Sequence, residues 1–590
     1  MSIPGAASPL FLATTGAAGD FEISRSLRFN SADSANLSRT PSAASNRKTF
    51  TWSGWIKKSA SSETNTKPLF AVNGGSSATQ FTFRFDNSTD DTLRVENNFN
   101  VGSPGGRTVA VFRDFSGWMH VVLAMDTTQA NATSGLKIYV NGVLQTLQST
   151  VWTQNIDTEV NTTNAHFIGT ENTTNRYFDG YLAEVNFIDG QALDPTSFGA
   201  FDDNGVWQAK DTAGLTFGTN GFRLKFADNS SNAALGTDSS GNSNTWTVNN
   251  LSAGVGTAYS SNGSGGTGAN KGYAKAFDGS LSTFCEPSDN STVTFDFTGF
   301  SGGGIAVSSS LRMYLNKAGS PAAGHFTVNG TNLGGSLPSG AWLTIGSVSS
   351  LQTITFFHAS GSSSVELYAV EVDSTILVDG TAADQDSLVD TPSNGTQTDT
   401  GVGNEVVGNY ATFNPLVLKG SSSSFTNGNL EAIGGSTNGF TGSTINPVSG
   451  KYYFELYIQY DSDQTDGNMG VGIVDEYNLG VGNPSGNSYP STMCGFFGRT
   501  DINSVVNGSE SGASTSEPTS SYQLGIAVDY DAKNITAYLN GSQGNTVSFS
   551  SNSNPLLYFN WGNTNNKMIA NFGQRAFAYT APSGYKALNT

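Results

Sequence analysis

Residues 136–146 read "LKIYVNGVLQT" and residues 534–544 read "NITAYLNGSQG". In both, alternating apolar and polar residues run into an Asn-Gly pair. A type I′ turn needs φ > 0 at both central positions, and Asn-Gly reaches that conformation at the least steric cost. Ile, Tyr, Val and Leu ahead of the turn are strand formers. Each segment therefore predicts a two-residue β-hairpin. The pair reflects either an internal duplication or two different β modules that share one local solution. The intervening sequence decides for the second, because no true internal repeat joins the copies.

At 590 residues the chain exceeds a single core, and ordinary domain sizes suggest about three or four modules. Gly is abundant at 70 residues and charged residues are only 13%, yet 37 Phe sit in alternating runs, which excludes disorder. The predicted class is all-β: tandem antiparallel β-sandwich (jelly-roll) modules with very little helix. Cys285 and Cys494 lie in what read as separate modules, so a disulfide-stapled scaffold is excluded and folding in a reducing cytoplasm is expected. The opening "MSIPGAASPLFLATTGAAGD" lacks the basic region of a secretion signal, and no window supplies the roughly 20 apolar residues of a membrane span. The formal net charge is −19 with no Lys/Arg cluster, which argues against nucleic acid and against anionic membrane. Neutral glycans or another protein remain as partners.

Strand patterns run through "SLRFN" (26–30), "FTWSGWIKK" (50–58), "FTFRF" (81–85), "WMHVVLAMD" (118–126), "LKIYVNG" (136–142) and "GYLAEVNFID" (180–189). With "RSLRFNSADSANLSRT" ahead of them and "FDGYLAEVNFIDGQALDPTSFG" closing them, they resemble a concanavalin A-like, laminin-G-type jelly roll, assigned to 26–251. More narrowly, "ISRSLRFNSADSANLSRTPSAASNRKTFTWSGWIKKS" and the later "GTNGFRLKFADNSSNAALGTDSSGNSNTWTVNNLS" resemble laminin-G-type modules of tailed-phage virion proteins, marine ones especially. "AKAFDGSLSTFCEPSDNSTVTFDF" and "VELYAVEVDSTILVDG" resemble a galactose-binding, discoidin-like sandwich at 273–380. The polar stretch 381–408 reads as a linker. "GKYYFELYI", "GNMGVGIVD", "YQLGIAVDYDAKNITAYLNG" and "IANFGQRAF" resemble, in that order, a SPRY-like sandwich at 409–590.

Glucanases of the concanavalin A-like fold carry Glu-x-Asp-x-x-Glu on one strand, since two carboxylates must flank the scissile bond. The nearest match, Glu371-Val-Asp373-Ser-Thr-Ile376, ends on an apolar residue and lies in the middle module. His120, His166, His325 and His358 have no identifiable partner, and His120 and His166 sit within strand patterns as packed residues. "DSDQTDGN" (461–468) departs from EF-hand spacing and reads as an acidic turn. No catalytic residue, metal or cofactor is assigned. Trp52, Trp55 and Trp118 fit strand patterns and are expected in the core. Trp152, Tyr177, Tyr477 and Tyr489 fall in loop-like contexts; they are the candidate ligand-binding aromatics, although loop aromatics also pin loops.

These readings predict a non-enzymatic virion structural protein, made in a host cytoplasm and located on the tail or capsid surface. It would be a tail fibre or receptor-binding appendage that recognises host-surface glycan or protein. A capsid-surface fibre or decoration protein, a glycan depolymerase using the concanavalin-like cleft, and a bacterial adhesin are the competing readings. Residues 1–25 form the expected N-terminal attachment arm, with Leu10, Phe11 and Leu12 as its contact to other virion proteins. A homo-oligomer, a trimer by analogy with phage fibres, is expected.

Overall fold

The computed structural model describes residues 21–590 apart from 61–64, 87–90, 98–103, 172–175, 254–255, 258–259, 263–275, 278–280, 282–283, 288–289, 298–303, 319–324, 334–336, 347, 359–363, 374, 380–384, 419–422, 436–438, 460–468, 476–489, 499–500, 517–521, 550–554 and 563–565. About 50% of the chain is strand and 6% helix, so the all-β reading holds. Among the described residues the α-helix is a single turn, Ala132–Gly135.

Both Asn-Gly pairs form the expected turns, with φ of 47° and 77° at Asn141-Gly142 and 46° and 79° at Asn540-Gly541. Asn329-Gly330 and Asn507-Gly508 repeat the conformation. The asparagine does more than turn the chain. Asn141 N–H donates to His120 O at 2.8 Å, and its side-chain Oδ1 accepts His120 N–H at 2.8 Å. Asn540 clamps Gln523 in the same way, at 2.9 and 3.0 Å. One residue thus reverses the chain and satisfies the polar groups of the neighbouring strand. That physical economy explains the recurrence in unrelated modules.

The first sandwich has two sheets. Sheet I runs, in spatial order, Val143–Leu144, Leu136–Val140, Met119–Asp126, Thr49–Lys58, Gly180–Asp189, Ser26–Phe29 and Ser387–Leu388, with Phe222–Leu224 also on Gly180–Asp189. Sheet II runs Leu147–Val151, Gly105–Val111, Thr92–Asn97, Gln80–Asp86, Lys67–Asn73, Ala165–Ile168, Asn36–Arg39 and Thr247–Asn249. The inward positions meet in a core that includes Phe50, Trp52, Phe70, Phe81, Phe83 and Phe187. Phe50 and Phe70 each stack on Phe187, at 5.7 and 5.5 Å. Burying each such ring contributes roughly 1.5–3 kcal/mol.

Sheet I holds the main departure from the expected order of modules. Its last strand, Ser387–Leu388, comes from the stretch read as a linker and pairs with Ser26–Phe29. Residues up to Ala253 and from Asp386 onward form one unit; Gly254–Gln385 form another. The chain leaves the first sandwich at Ser252 and returns at Asp386, where the two residues bond each other: Asp386 N–H donates to Ser252 O at 2.9 Å, and Ser252 N–H to Asp386 Oδ2 at 2.8 Å. The middle module is therefore an insertion. From Asp386 to Ser393 the expected linker is a largely buried strap, whereas Asn394, Thr396, Gln397, Thr398, Thr400 and Val402 are exposed. Its polar residues misled the reading because they answer buried cations on strands more than 300 positions away.

The expected N-terminal arm is corrected in part as well. Residues 21–25 pack on their own sandwich: Ile23 is buried with Trp55, Ala183 and Trp207, its N–H donates to Ser393 Oγ at 2.9 Å, and Arg25 reaches Ser387 O at 3.3 Å. Leu10, Phe11 and Leu12 lie outside the described residues.

The inserted module stacks a five-stranded sheet (Ser260–Asn262, Ser291–Asp296, Thr353–His358, Phe326–Val328, Thr331–Asn332) on a four-stranded one (Ala341–Ile345, Leu311–Ala318, Ser364–Val372, Thr375–Ile376). The last sandwich pairs a seven-stranded sheet containing Lys451–Gln459 and Tyr522–Asp529 with a six-stranded sheet containing Met469–Asp475 and Pro555–Trp561. Its core includes Phe413, Phe454, Phe559 and Trp561, and it takes in Tyr181 from sheet I.

Candidate functional site

The outer face of sheet I is where a concanavalin-type module would offer a cleft. Strand alternation sends Trp52, Ile56, Leu123 and Leu182 inward, so Ser53, Trp55, Lys57, His120, Tyr181 and Arg28 face out. Every one of these is buried. The cover is the chain itself: residues 21–25, the 199–209 hairpin, the strap and the last sandwich.

His120 shows what that cover does. The Trp207 indole N–H donates to His120 Nδ1 at 3.0 Å, which fixes Nδ1 as an acceptor and leaves the proton on Nε2 to bond Ser53 Oγ at 2.9 Å. Trp55 and Trp207 flank the ring at 4.9 and 6.0 Å. Burial pushes its pKa down to about 3, so the imidazole stays neutral with both nitrogens occupied. His166 is similar: Nε2 accepts Asn161 N–H at 3.1 Å, Nδ1 donates to Asn164 O at 2.8 Å, and burial holds it near 4.

Beside this apolar patch the cover is charged. Lys57 Nζ donates to Asp390 Oδ2 at 2.9 Å, Asn409 Oδ1 at 2.8 Å and Tyr410 O at 2.7 Å. Burial pushes its ammonium below the ordinary value and Asp390 opposes that. Trp118 Nε1 adds a bond to Asp390 Oδ1 at 3.0 Å. Arg28 pairs with Asp386 at 3.0 Å, whose carboxyl burial raises to about 6 against the pull of Arg28. Tyr181 O–H donates to Gly428 O at 2.7 Å. These outward groups are thus spent on the chain's own strap and last sandwich.

The aromatics expected to touch ligand fare as follows. Trp152 is half-buried; its indole N–H donates to Gln129 O at 2.9 Å and its ring lies so close to Gly135 that a Cβ there would sit 2.2 Å away. Tyr177 is buried and bridges Thr170. Tyr177 is buried and Trp152 is half-buried against the first core, so both hold loops down in this structure. Tyr477 and Tyr489 lie outside the described residues, as does the acidic turn 461–468. The degenerate carboxylate pair is occupied: Arg312 grips Glu371 at 2.6 and 2.7 Å, and Asp373 accepts the N–H groups of Ser308, Ser309 and Ser310 at 2.6–2.9 Å. Those backbone donors hold the Asp373 carboxyl well below the usual range. Among the described residues no group of three or more His, Cys, Asp or Glu could hold a metal ion.

Sequence reasoning passed over a group of half-buried aromatics. They sit on strands of the inserted module, at Tyr314, Trp342 and Tyr368, with Phe284 alongside. The signal was there: Leu311, Met313 and Leu315 alternate with Arg312, Tyr314 and Asn316, which puts the second set outside.

Residues 30–197 match the family model of the concanavalin A-like lectin/glucanases superfamily, laminin-G type, so the first sandwich carries a concanavalin A-like, laminin-G-type module. Among solved structures, the SPRY domain of human HERC1 is similar at 18% identity and a TM-score of 0.23, covering 27% of this chain and 96% of that one. A heptameric SAP-like pentraxin from Limulus polyphemus is similar at 15% identity and TM-score 0.22, covering 29% of this chain and 79% of that chain. A protein of Bacteroides ovatus named a "putative carbohydrate binding protein" is similar at 15% identity and TM-score 0.23, covering 39% of this chain and 59% of that one. Among curated proteins none matches the chain.

Proposed function

We propose that this chain is a non-enzymatic recognition protein of a tailed-phage virion, a tail fibre or receptor-binding appendage that engages host-surface glycan or protein. The observation that carries the recognition part is the concanavalin A-like, laminin-G-type module over 30–197. The virion part rests on the resemblance of its opening and closing segments to phage virion modules. It is supported by Cys285 and Cys494, which are buried and not joined in a disulfide, as suits assembly in a reducing cytoplasm. Shallow sandwich sites bind weakly one at a time, and several copies on a particle would add avidity of about 10²–10⁴. The competing depolymerase reading has the closed outer face of sheet I against it.

Mass spectrometry of purified virions, followed by labelling of the particle with antibody against this chain, tests the proposal. The chain is expected among the structural proteins, with label on the tail tip or fibres. Label confined to the capsid would favour the decoration reading; absence from the particle would refute the virion assignment. Release of reducing ends from host polysaccharide, abolished by carboxylate substitutions, would refute the non-enzymatic assignment.

A further inference from the structure

We infer that the outer face of the four-stranded sheet of the inserted module is a glycan-binding platform. This rests on the glycan-recognition reading above and assigns it a place. The face is built by three adjacent strands. Leu311–Ala318 presents Arg312, Tyr314 and Asn316, with Leu311, Met313 and Leu315 buried beneath. Trp342 lies opposite Tyr314 on Ala341–Ile345. On Ser364–Val372 the register slips, Tyr314 facing Ala369 and Leu315 facing Leu367, so that Tyr368 is the extra residue of a bulge. The bulge keeps Glu366, Tyr368 and Glu371 on one side despite their unequal spacing. Cys285 pairs with Leu367 and sets Phe284 beside Tyr368.

The result is a row of four half-buried rings. Phe284 and Tyr368 lie 5.0 Å apart, Tyr368 and Tyr314 5.6 Å, Tyr314 and Trp342 5.4 Å, and the Arg312 guanidinium sits 5.0 Å from the Trp342 ring. Tyr314, Trp342 and Tyr368 are not part of the module's core. Rings of this size left outside a core are an expense in stability that packing does not explain.

Polar groups border the row. Glu366 Oε2 accepts Asn316 Nδ2 and Tyr368 O–H, each at 2.8 Å, and Ser339 Oγ donates to Asn316 Oδ1 at 2.8 Å. Among the described residues no hydrogen bond occupies Glu366 Oε1 or Trp342 Nε1. Arg312 is neutralised by Glu371. A pyranose fits this chemistry. Its C–H face is weakly positive and lies against the negative face of an aromatic ring, while its hydroxyl rim needs fixed donors and acceptors. Of the described side chains at the outward positions 312, 314 and 316, the cation is Arg312, already paired, so a polyanion is not favoured. An apolar protein surface finds none of the module's large aliphatic side chains exposed on these strands, Leu281 being the exposed one elsewhere in it.

The test uses the full chain on an array of bacterial surface polysaccharides and of cello-, malto-, xylo- and galacto-oligosaccharides. Trp342→Ala, Tyr368→Ala and the near-isosteric Glu366→Gln are compared with the parent protein, each checked for an unchanged circular dichroism spectrum. Binding that survives 0.5 M salt and falls roughly tenfold or more in Trp342→Ala and Tyr368→Ala, and measurably in Glu366→Gln, is expected. Glycan binding that all three variants retain would overturn this inference and leave the wider reading standing. No glycan binding by the parent protein would overturn both. Capture of a cell-surface protein through Trp342, with no glycan bound, would overturn the ligand class.

Discussion

Two sheet faces of this chain carry the same kinds of side chain and meet opposite fates. The outer face of sheet I bears Trp55, His120, Lys57 and Tyr181, and the inserted module's face bears Tyr314, Trp342, Tyr368 and Arg312. On sheet I the chain's own cover supplies the partners: Trp207 bonds His120, Lys57 and Trp118 bond Asp390, Tyr181 bonds Gly428, and Trp55 packs with Ile23 and Trp207. On the inserted module the rings stand outside the core and part of the polar rim is unspent. Aromatic content therefore does not identify a binding face. What decides is whether another segment of the chain supplies the partners.

The largest expected effect comes from opening the closed face. Lys57→Met leaves Asp390 buried without its cation and should cost about 3–5 kcal/mol in chemical denaturation, the range for breaking a buried pair. Pairing it with Asp390→Leu should recover most of that loss, because both desolvated charges are then gone. Loss of the first and last sandwiches in one transition is part of this expectation.

A smaller effect separates the two faces by pH. His120 has a folded pKa of about 3 against an ordinary 6.5. Below pH 6.5 the unfolded chain takes up a proton that the folded protein refuses, so stability falls as the solution is acidified. At about 1.36 kcal/mol per pH unit, His120 accounts for about 2 kcal/mol between pH 6.5 and 5. Asp386, raised to about 6 from 3.8, runs the other way and adds stability as pH falls through 6. Comparing parent and His120→Gln at pH 6.5 and 5 cancels the Asp386 contribution; the parent should lose about 2 kcal/mol more than the variant.

Why the two faces were not told apart in the sequence follows from the residues involved. Strand alternation and Asn-Gly turns act over a few positions, so the three sandwiches and both hairpins were legible. The cover is non-local. Nothing near Lys57 announces Asp390, and "LVDTPSNGTQTDTGVGNEVVGNY" has the composition of a tether, although its Asp390 and Asn409 bond Lys57 on a distant strand. The same non-locality hid the insertion, which depends on Ser252 meeting Asp386. Loops were the expected place for ligand aromatics, where Trp152 and Tyr177 act as pins, while half-buried Tyr314, Trp342 and Tyr368 sit on strands whose alternation is readable.

The smallest expected effect sharpens the contrast. Trp342→Ala and Tyr368→Ala remove rings that lie outside the core and should change stability by less than about 1 kcal/mol. Trp207→Ala, on the closed face, should cost about 3–5 kcal/mol. Thermal denaturation of the three variants side by side checks this.

Hydroxyl-radical footprinting with mass spectrometry tests the central claim most directly, since it reads side-chain exposure residue by residue in the intact chain. The account predicts rapid oxidation of Tyr314, Trp342 and Tyr368, with Trp55, Trp207 and Tyr181 protected at the level of the core residue Trp52. An oligosaccharide that binds should then slow oxidation of the first set and leave the second unchanged. Oxidation of Trp55 and Trp207 as fast as Trp342 in the free protein, or protection of Trp342 without ligand, would contradict it.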